Sequence, residues 1–201
     1  MVYDAETPRL WLERVSEQHL HDFHLLWSSK ESMIWSKHFP METTEQSRTF
    51  MQKSLISVNP KIDKYAILLR PAPGSEIKSG TENGGHSPRM IGLLGTVGDG
   101  TEMVYTLHCD FWGKGYMTEA LRAFVGKHGI FWSLKERSHV KSLVAKIDTE
   151  IIGSMKTIAK VGARKGELLE KEYALAKDKG SDGEVPREKL RDLMCWYVEQ
   201  P

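Results

Sequence analysis

Gly113-Lys114-Gly115 is the stretch whose residue types and spacing point most directly to chemistry. Two of its three residues lack a Cβ, so a ligand can approach the backbone closely there. The run before it, from Met103 to Asp110, is rich in β-branched and aromatic residues and reads as a strand. After it, from Thr118 onward, Leu121, Phe124 and Val125 place apolar side chains at helical spacing. A helix starting beside a glycine turn leaves its first N–H groups without intrahelical partners and exposes the positive end of its dipole. That combination suits a phosphorylated ligand, with Lys114 adding a full charge and Thr118 a capping hydroxyl. It is not a Walker loop, since no Ser or Thr follows the Gly-Lys pair. Nor is it a dinucleotide fingerprint, because Thr118 stands where the third glycine belongs.

Other groups with chemical potential are scattered. His19, His21 and His24 fall within two turns of one expected helix, but no carboxylate or fourth ligand accompanies them at metal-site spacing, so they read as a solvated face. Cys109 and Cys195 give no disulfide framework. Net charge is +1 over 201 residues, without a basic stripe, which argues against nucleic acid or an anionic membrane as partner. No stretch is apolar for long enough to cross a bilayer, and the expected location is the cytoplasm.

The elements that must position these residues follow from periodicity and punctuation. At this length a single domain over 1–201 is expected. Thr7 to Val15 alternates as a first strand, and Ser16 caps a helix with Leu20, Phe23, Leu26 and Trp27 inward. Met33 to Pro40 is an aromatic loop or short helix. Thr43 or Thr44 caps a helix from Glu45 to Leu55, and Lys64 to Arg70 is a strand. Residues 71–89 are dominated by Pro, Gly, Ser, Asn and charge, and read as a long, mobile hairpin insertion between two strands. Met90 to Val97 is its partner strand, with a bend or bulge at its glycines, and Asp99-Gly100 turns the chain into the central strand. The helix from Thr118 should run to about Phe131 or Trp132. Val140 to Ile147 is a strand, Ile151 to Lys160 a helix closed by Gly162, and Glu167 to Ala174 and Leu193 to Val198 the last strands.

The string Phe111-Trp112-Gly113-Lys114-Gly115-Tyr116-Met117-Thr118-Glu119-Ala120-Leu121 resembles the acyl-CoA-binding motif of the GNAT acetyltransferases, Gln/Arg-x-x-Gly-x-Gly/Ala. It is most similar to the branch that includes the ribosomal-protein N-terminal acetyltransferases. Trp112 takes the Gln/Arg position, Gly115 the central glycine and Met117 the Gly/Ala position, where its bulk would crowd the pyrophosphate. Asp148 to Ala163 resembles the family's second segment, Asn-x-x-Ser…Glu-Lys-x-Gly-Phe, at the same distance downstream. The opening Thr7 to Val15, the His38-Phe39-Pro40 loop and the closing strand also fit, so the likeness covers nearly the whole chain outside 71–89. Three positions of this second segment depart from the pattern. Ile151 replaces the asparagine that commonly holds pantetheine, Ala163 replaces phenylalanine, and Ile158 stands where many members carry a proton-donating tyrosine.

The resemblance implies a mixed α/β (α+β) GNAT-like fold. Its central, mostly antiparallel twisted sheet would have about six to seven strands with a V-shaped splay between the two central ones, flanked by about four helices. It implies acetyl-CoA as cofactor and transfer of the acetyl group to a primary amine by direct attack in a ternary complex. The acceptor would be a small-molecule amine or a peptide N-terminus, and the protein a monomer or homodimer. Leu107, His108 and Cys109 would pair with pantetheine and supply the oxyanion N–H, while Trp112, Gly113, Lys114, Gly115, Tyr116, Met117 and Thr118 hold the diphosphate. Ser154 would meet the sulfur as the catalytic group, and Trp35, His38 and Phe39 would wall the acceptor. No metal is implied. The general base stays open among Glu102, His108, Asp110, His38 and water, with Glu102 and His108 expected on one strand face. A covalent route through Cys109 would need an activating histidine at fixed spacing, which only the adjacent His108 offers. A non-catalytic acyl-CoA-binding sensor or partner protein of the same fold is the alternative reading.

Overall fold

The computed structural model describes residues 3–71, 88–180 and 183–201. In chain order the elements are β1 (Ala5–Glu6), β2 (Leu10–Arg14), α1 (Leu20–Ser28), α2 (Thr44–Gln52), β3 (Lys64–Leu69), β4 (Met90–Val97) and β5 (Glu102–Leu107). There follow α3 (Tyr116–Val125), α4 (Ile130–Ser133), β6 (Ser142–Asp148), α5 (Ile152–Ala159), β7 (Arg164–Tyr173) and β8 (Arg191–Glu199). Eight strands form one sheet in the order β1-β2-β3-β4-β5-β6-β8-β7. The count exceeds the expected six to seven because the two-residue β1 pairs with the edge of β2. Four helices and the single turn of α4 flank the sheet.

Strand alternation divides the core into two layers. Tyr65 and Ile67 of β3 join Leu94 of β4, Met103 and Leu107 of β5, and Leu121 and Phe124 of α3 on one face. Ala66 and Leu68 face the other way, against Phe23 and Leu26 of α1 and Met51 of α2. Thr43 caps α2 by accepting from the Gln46 amide at 3.2 Å, which decides between the two expected threonines. Ser16 opens a 3-10 turn, Glu17–His19, that leads into α1. His19 is buried there with its Nδ1 accepting from the Ser16 amide, and His24 bonds Ser47 Oγ at 2.8 Å. The three histidines therefore do not share a solvated face. Most of the hairpin expected at 71–89 lies outside the described residues, but the strands on either side of it pair antiparallel.

One pairing sets up the site. Among the described residues all strand pairs are antiparallel except β5 with β6, which are parallel and in register only at Glu102↔Val144 and Met103↔Ala145. Beyond that point β5 continues to Leu107 and β6 to Asp148 without pairing to each other. This is the expected splay between the central strands.

Candidate active site

The glycine turn lies between the end of β5 and the start of α3. Gly113 and Gly115 have φ of +72° and +79°, a left-handed backbone that glycine adopts without steric penalty. Gly115 is itself the residue that caps α3, so Thr118 sits within the first turn of the helix and is not its cap. A Cβ built on Gly113 would meet nothing within 4 Å, so the outer surface of the turn is open. The helix ends at Val125, earlier than expected, where Gly126 leaves helical geometry.

Arg9, just ahead of β2, fixes the turn. Its Nε donates to Glu119 Oε2 at 2.7 Å, its Nη1 to the Lys114 carbonyl at 3.0 Å, and its guanidinium lies 4.4 Å from the centre of the Tyr116 ring. Burial pushes the Glu119 carboxyl up, but hydrogen bonds from Thr7 and Arg9 outweigh it and hold the group below its ordinary value. Lys114 Nζ donates to the Asp110 carbonyl at 2.7 Å, and Trp112 Nε1 to the Leu107 carbonyl at 2.9 Å. Met117 is buried in the core below α3, so its bulk does not stand over the turn as expected. The unpaired first-turn amides, the two left-handed glycines and the cations Arg9 and Lys114 fit a diphosphate.

At the splay, backbone alternation decides which amides are available. The His108 N–H donates to the Ile91 carbonyl at 2.9 Å, and the Cys109 N–H to Ser32 Oγ at 2.9 Å. Of the expected segment Leu107 to Cys109, only Leu107 keeps an amide directed away from β4, and Tyr105 shares that orientation by the two-residue period. His108 follows the last residue of β5, and its Nδ1 lies 3.5 Å from Asp110 Oδ2. Cys109 Sγ lies 3.8 Å from His108 Nδ1 and 3.8 Å from Ser29 Oγ.

Ser154, in the first turn of α5, reaches across the opening to β5. Its Oγ lies 2.9 Å from the Tyr105 hydroxyl. Burial pushes the Tyr105 phenol up to about 12, against the opposing effect of the Ser154 hydrogen bond, so it stays protonated at neutral pH. Tyr105 went unrecognised in the sequence; its place between Met103 and Leu107 on an alternating strand is the signal that turns it toward α5. Ile158 is fully buried, and Ile151 caps α5.

Tyr105 and Ser154 line a cavity of about 730 Å³ that extends beneath α1, α2 and the loop between them. Trp35 and His38 belong to its wall, joined by Trp27, Phe50 and Tyr173. Phe39 does not: it is 62% exposed and lies outside the lining. His38 packs edge-on to Phe50, 5.2 Å between ring centres, and burial followed by repulsion from Lys179, Lys37 and Lys53 lowers its pKa. On the sheet side of the cavity Glu102 pairs with Lys146 at 2.9 Å. Lys64 of β3 is buried beside them, and desolvation lowers its amine to about 7 despite the attraction of Glu102. At the end of β6, Asp148 accepts from the Glu150 amide at 2.7 Å, from Arg191 Nη2 at 3.2 Å and from the Tyr173 hydroxyl. Arg191 in turn lies 5.2 Å from the centre of the Trp35 ring. Burial pushes Asp148 up, but the bonds from Arg191 and Tyr173 win and keep it below the usual carboxylate value.

Comparison with known proteins agrees with this architecture. Residues 9–164 match the acetyltransferase (GNAT) domain family. Among solved structures, RimL, a ribosomal L7/L12 alpha-N-protein acetyltransferase in complex with coenzyme A, superposes with a TM-score of 0.71 at 15% identity, over 99% of this chain and 98% of that one. A GNAT-family acetyltransferase from Bacillus anthracis gives 0.66 at 17% identity, over 96% of each chain. The spermidine N-acetyltransferase from Vibrio cholerae, in complex with CoA and spermine, gives 0.68 at 12% identity, over 96% and 97%. At such identities the likeness is one of fold, and it is the match over most of the chain that carries the assignment. The splayed sheet, the glycine turn at the head of α3 and that match together make this chain a member of the GNAT acetyltransferase family.

Proposed function

We propose that the chain is an N-acetyltransferase that moves an acetyl group from acetyl-CoA to a primary amine, with both reactants bound together. The observation that carries this reading is the Tyr105–Ser154 hydroxyl pair, which lies at the splay and lines the cavity walled by Trp35 and His38. The amides of Gly113 to Thr118, with Arg9 and Lys114, hold the diphosphate. The Tyr105 and Leu107 amides take the pantetheine arm, and the Leu107 N–H polarises the carbonyl. Acetyl-CoA supplies a thioester whose carbonyl carbon accepts an amine and whose sulfur departs. Ser154 Oγ donates a hydrogen bond to that sulfur, with the Tyr105 phenol behind it as the proton reserve. The aromatic wall holds the acceptor, a small-molecule amine or a peptide N-terminus, within attack distance.

Incubation with acetyl-CoA and a panel of primary amines, followed by free thiol, tests this. Amine-dependent thiol release together with acetylated amine is the expected result. Tight coenzyme A binding without thiol release from any amine would instead make the chain a non-catalytic acyl-CoA-binding protein.

A further inference from the structure

We propose that the Lys64 amine, which nothing else in the cavity employs, takes the proton from the acceptor's ammonium group; this rests on the acyl-transfer reading above. Lys64 opens β3 with the same strand parity as Ala66 and Leu68, so its side chain points into the layer beneath α1 and α2 and not into solvent. Its neighbour across the sheet is Gly95, which adds no side chain. Among the described residues no hydrogen bond or ion pair reaches its Nζ, although the residue is only 7% exposed and lines the cavity. A buried amine without an acceptor is disfavoured as a cation. Consistent with that, its pKa falls to about 7, where the neutral amine with a free lone pair is abundant and a general base is most effective.

The other titratable groups on the wall are less suited. Glu102 on β5 has its carboxylate engaged by Lys146 of β6 at 2.9 Å. Asp148 is locked to Arg191. His38 has its ring packed between Phe50 and Trp27. Lys37 and Lys53 from the loop and the end of α2 oppose a second cation near them, and Glu172 of β7 is exposed. The proton balance is closed by groups already placed. An ammonium N–H bond breaks and the proton goes to Lys64 Nζ, and the freed nitrogen lone pair attacks the thioester carbonyl. The C–N bond forms and the C–S bond breaks. The thiolate is protonated through Ser154 and Tyr105, and the nitrogen's second proton restores that pair. Lys64 then returns its proton to solvent.

The test compares the parent with Lys64→Met, which keeps the length and suits a buried position. Coenzyme A binding by calorimetry and thiol release against pH, with the most active amine of the panel, are measured on the same samples. The parent's kcat/KM should rise to a plateau with a midpoint near 7. Lys64→Met should bind coenzyme A as the parent does, lose at least about tenfold in kcat/KM at neutral pH, and keep rising at alkaline pH as the amine ionises by itself. Identical profiles for the two proteins would overturn the role of Lys64 while leaving acyl transfer standing. A parent that neither binds coenzyme A nor releases thiol would overturn both. A second readout needs no turnover: trace labelling of the parent with acetic anhydride across the pH range, read by peptide mass. Lys64 should label with a midpoint near 7, and a midpoint with the ordinary lysines, about 10, would overturn the proposal.

Discussion

Ser154 and Tyr105 form one hydrogen-bonded unit, so the effects of removing them should not add. Ser154→Ala should lower turnover by tenfold or more with little change in coenzyme A affinity. Tyr105→Phe should do the same, and the double variant should be scarcely slower than either single one. Steady-state rates and calorimetry on the three proteins check this, and fully multiplicative losses would show that the hydroxyls act separately. Of this pair the serine was legible in the sequence, because it holds its place in a recognisable segment. The tyrosine was not, because its role depends on a strand and a helix 49 residues apart meeting at the splay. Lys64 was hidden for a related reason. A lysine at the head of an apolar strand looks solvated until the helices that cover it are in place.

At the level of elements, one carboxylate does the positioning. Asp148 ends β6, accepts from the Glu150 amide in the turn that leads into α5, and binds Arg191 of β8 and Tyr173 of β7. It thereby fixes both the helix that carries Ser154 and the arginine beneath Trp35. Asp148→Asn should cost roughly 3 kcal/mol in urea unfolding at neutral pH, since it leaves a half-buried guanidinium with only the exposed Glu150 as partner. The sign with pH follows from the lowered carboxyl. Its contribution is complete above the unfolded value of 3.8 and is lost as pH falls through the folded one. The gap between parent and variant should therefore close in acid, and a gap independent of pH would contradict the assignment. Most elements were legible from periodicity, from β3 through the strand order around the glycine turn. The start of α3 was misplaced by two residues because Gly115, lacking a side chain, gives no capping signal of its own. The last strands extend beyond the stretches expected from sequence, since the added residues Arg164, Lys165, Arg191 and Glu199 are charged and continue no apolar period.

The molecule as a whole balances stability against function at Lys64. Its amine ordinarily titrates at 10.5 and falls to about 7 in the folded chain. Below about 7 both folded and unfolded chains carry the charge, and burying it costs the folded state in full. Above about 10.5 both are neutral and the cost vanishes. Lys64→Met should accordingly be more stable than the parent at pH 6, by at most about 5 kcal/mol, with the advantage fading as the solution becomes alkaline. Urea midpoints at acidic and alkaline pH check this, and an advantage that grows with pH would contradict it. The sheet with its splay was legible because strand periods and two ordered motifs agreed across nearly the whole chain. The cavity was not, because its wall is assembled from nine separate helices and strands and the loops between them, whose contacts no local pattern encodes. The central claim is that the amides heading α3 hold the diphosphate of coenzyme A, with the thioester end at Ser154. A crystal structure of the chain grown with coenzyme A measures it directly. Phosphate oxygens on the amides of Gly113 to Met117 and sulfur within hydrogen-bond distance of Ser154 Oγ are expected. Density for the nucleotide at any other place, with the turn bare, would contradict it.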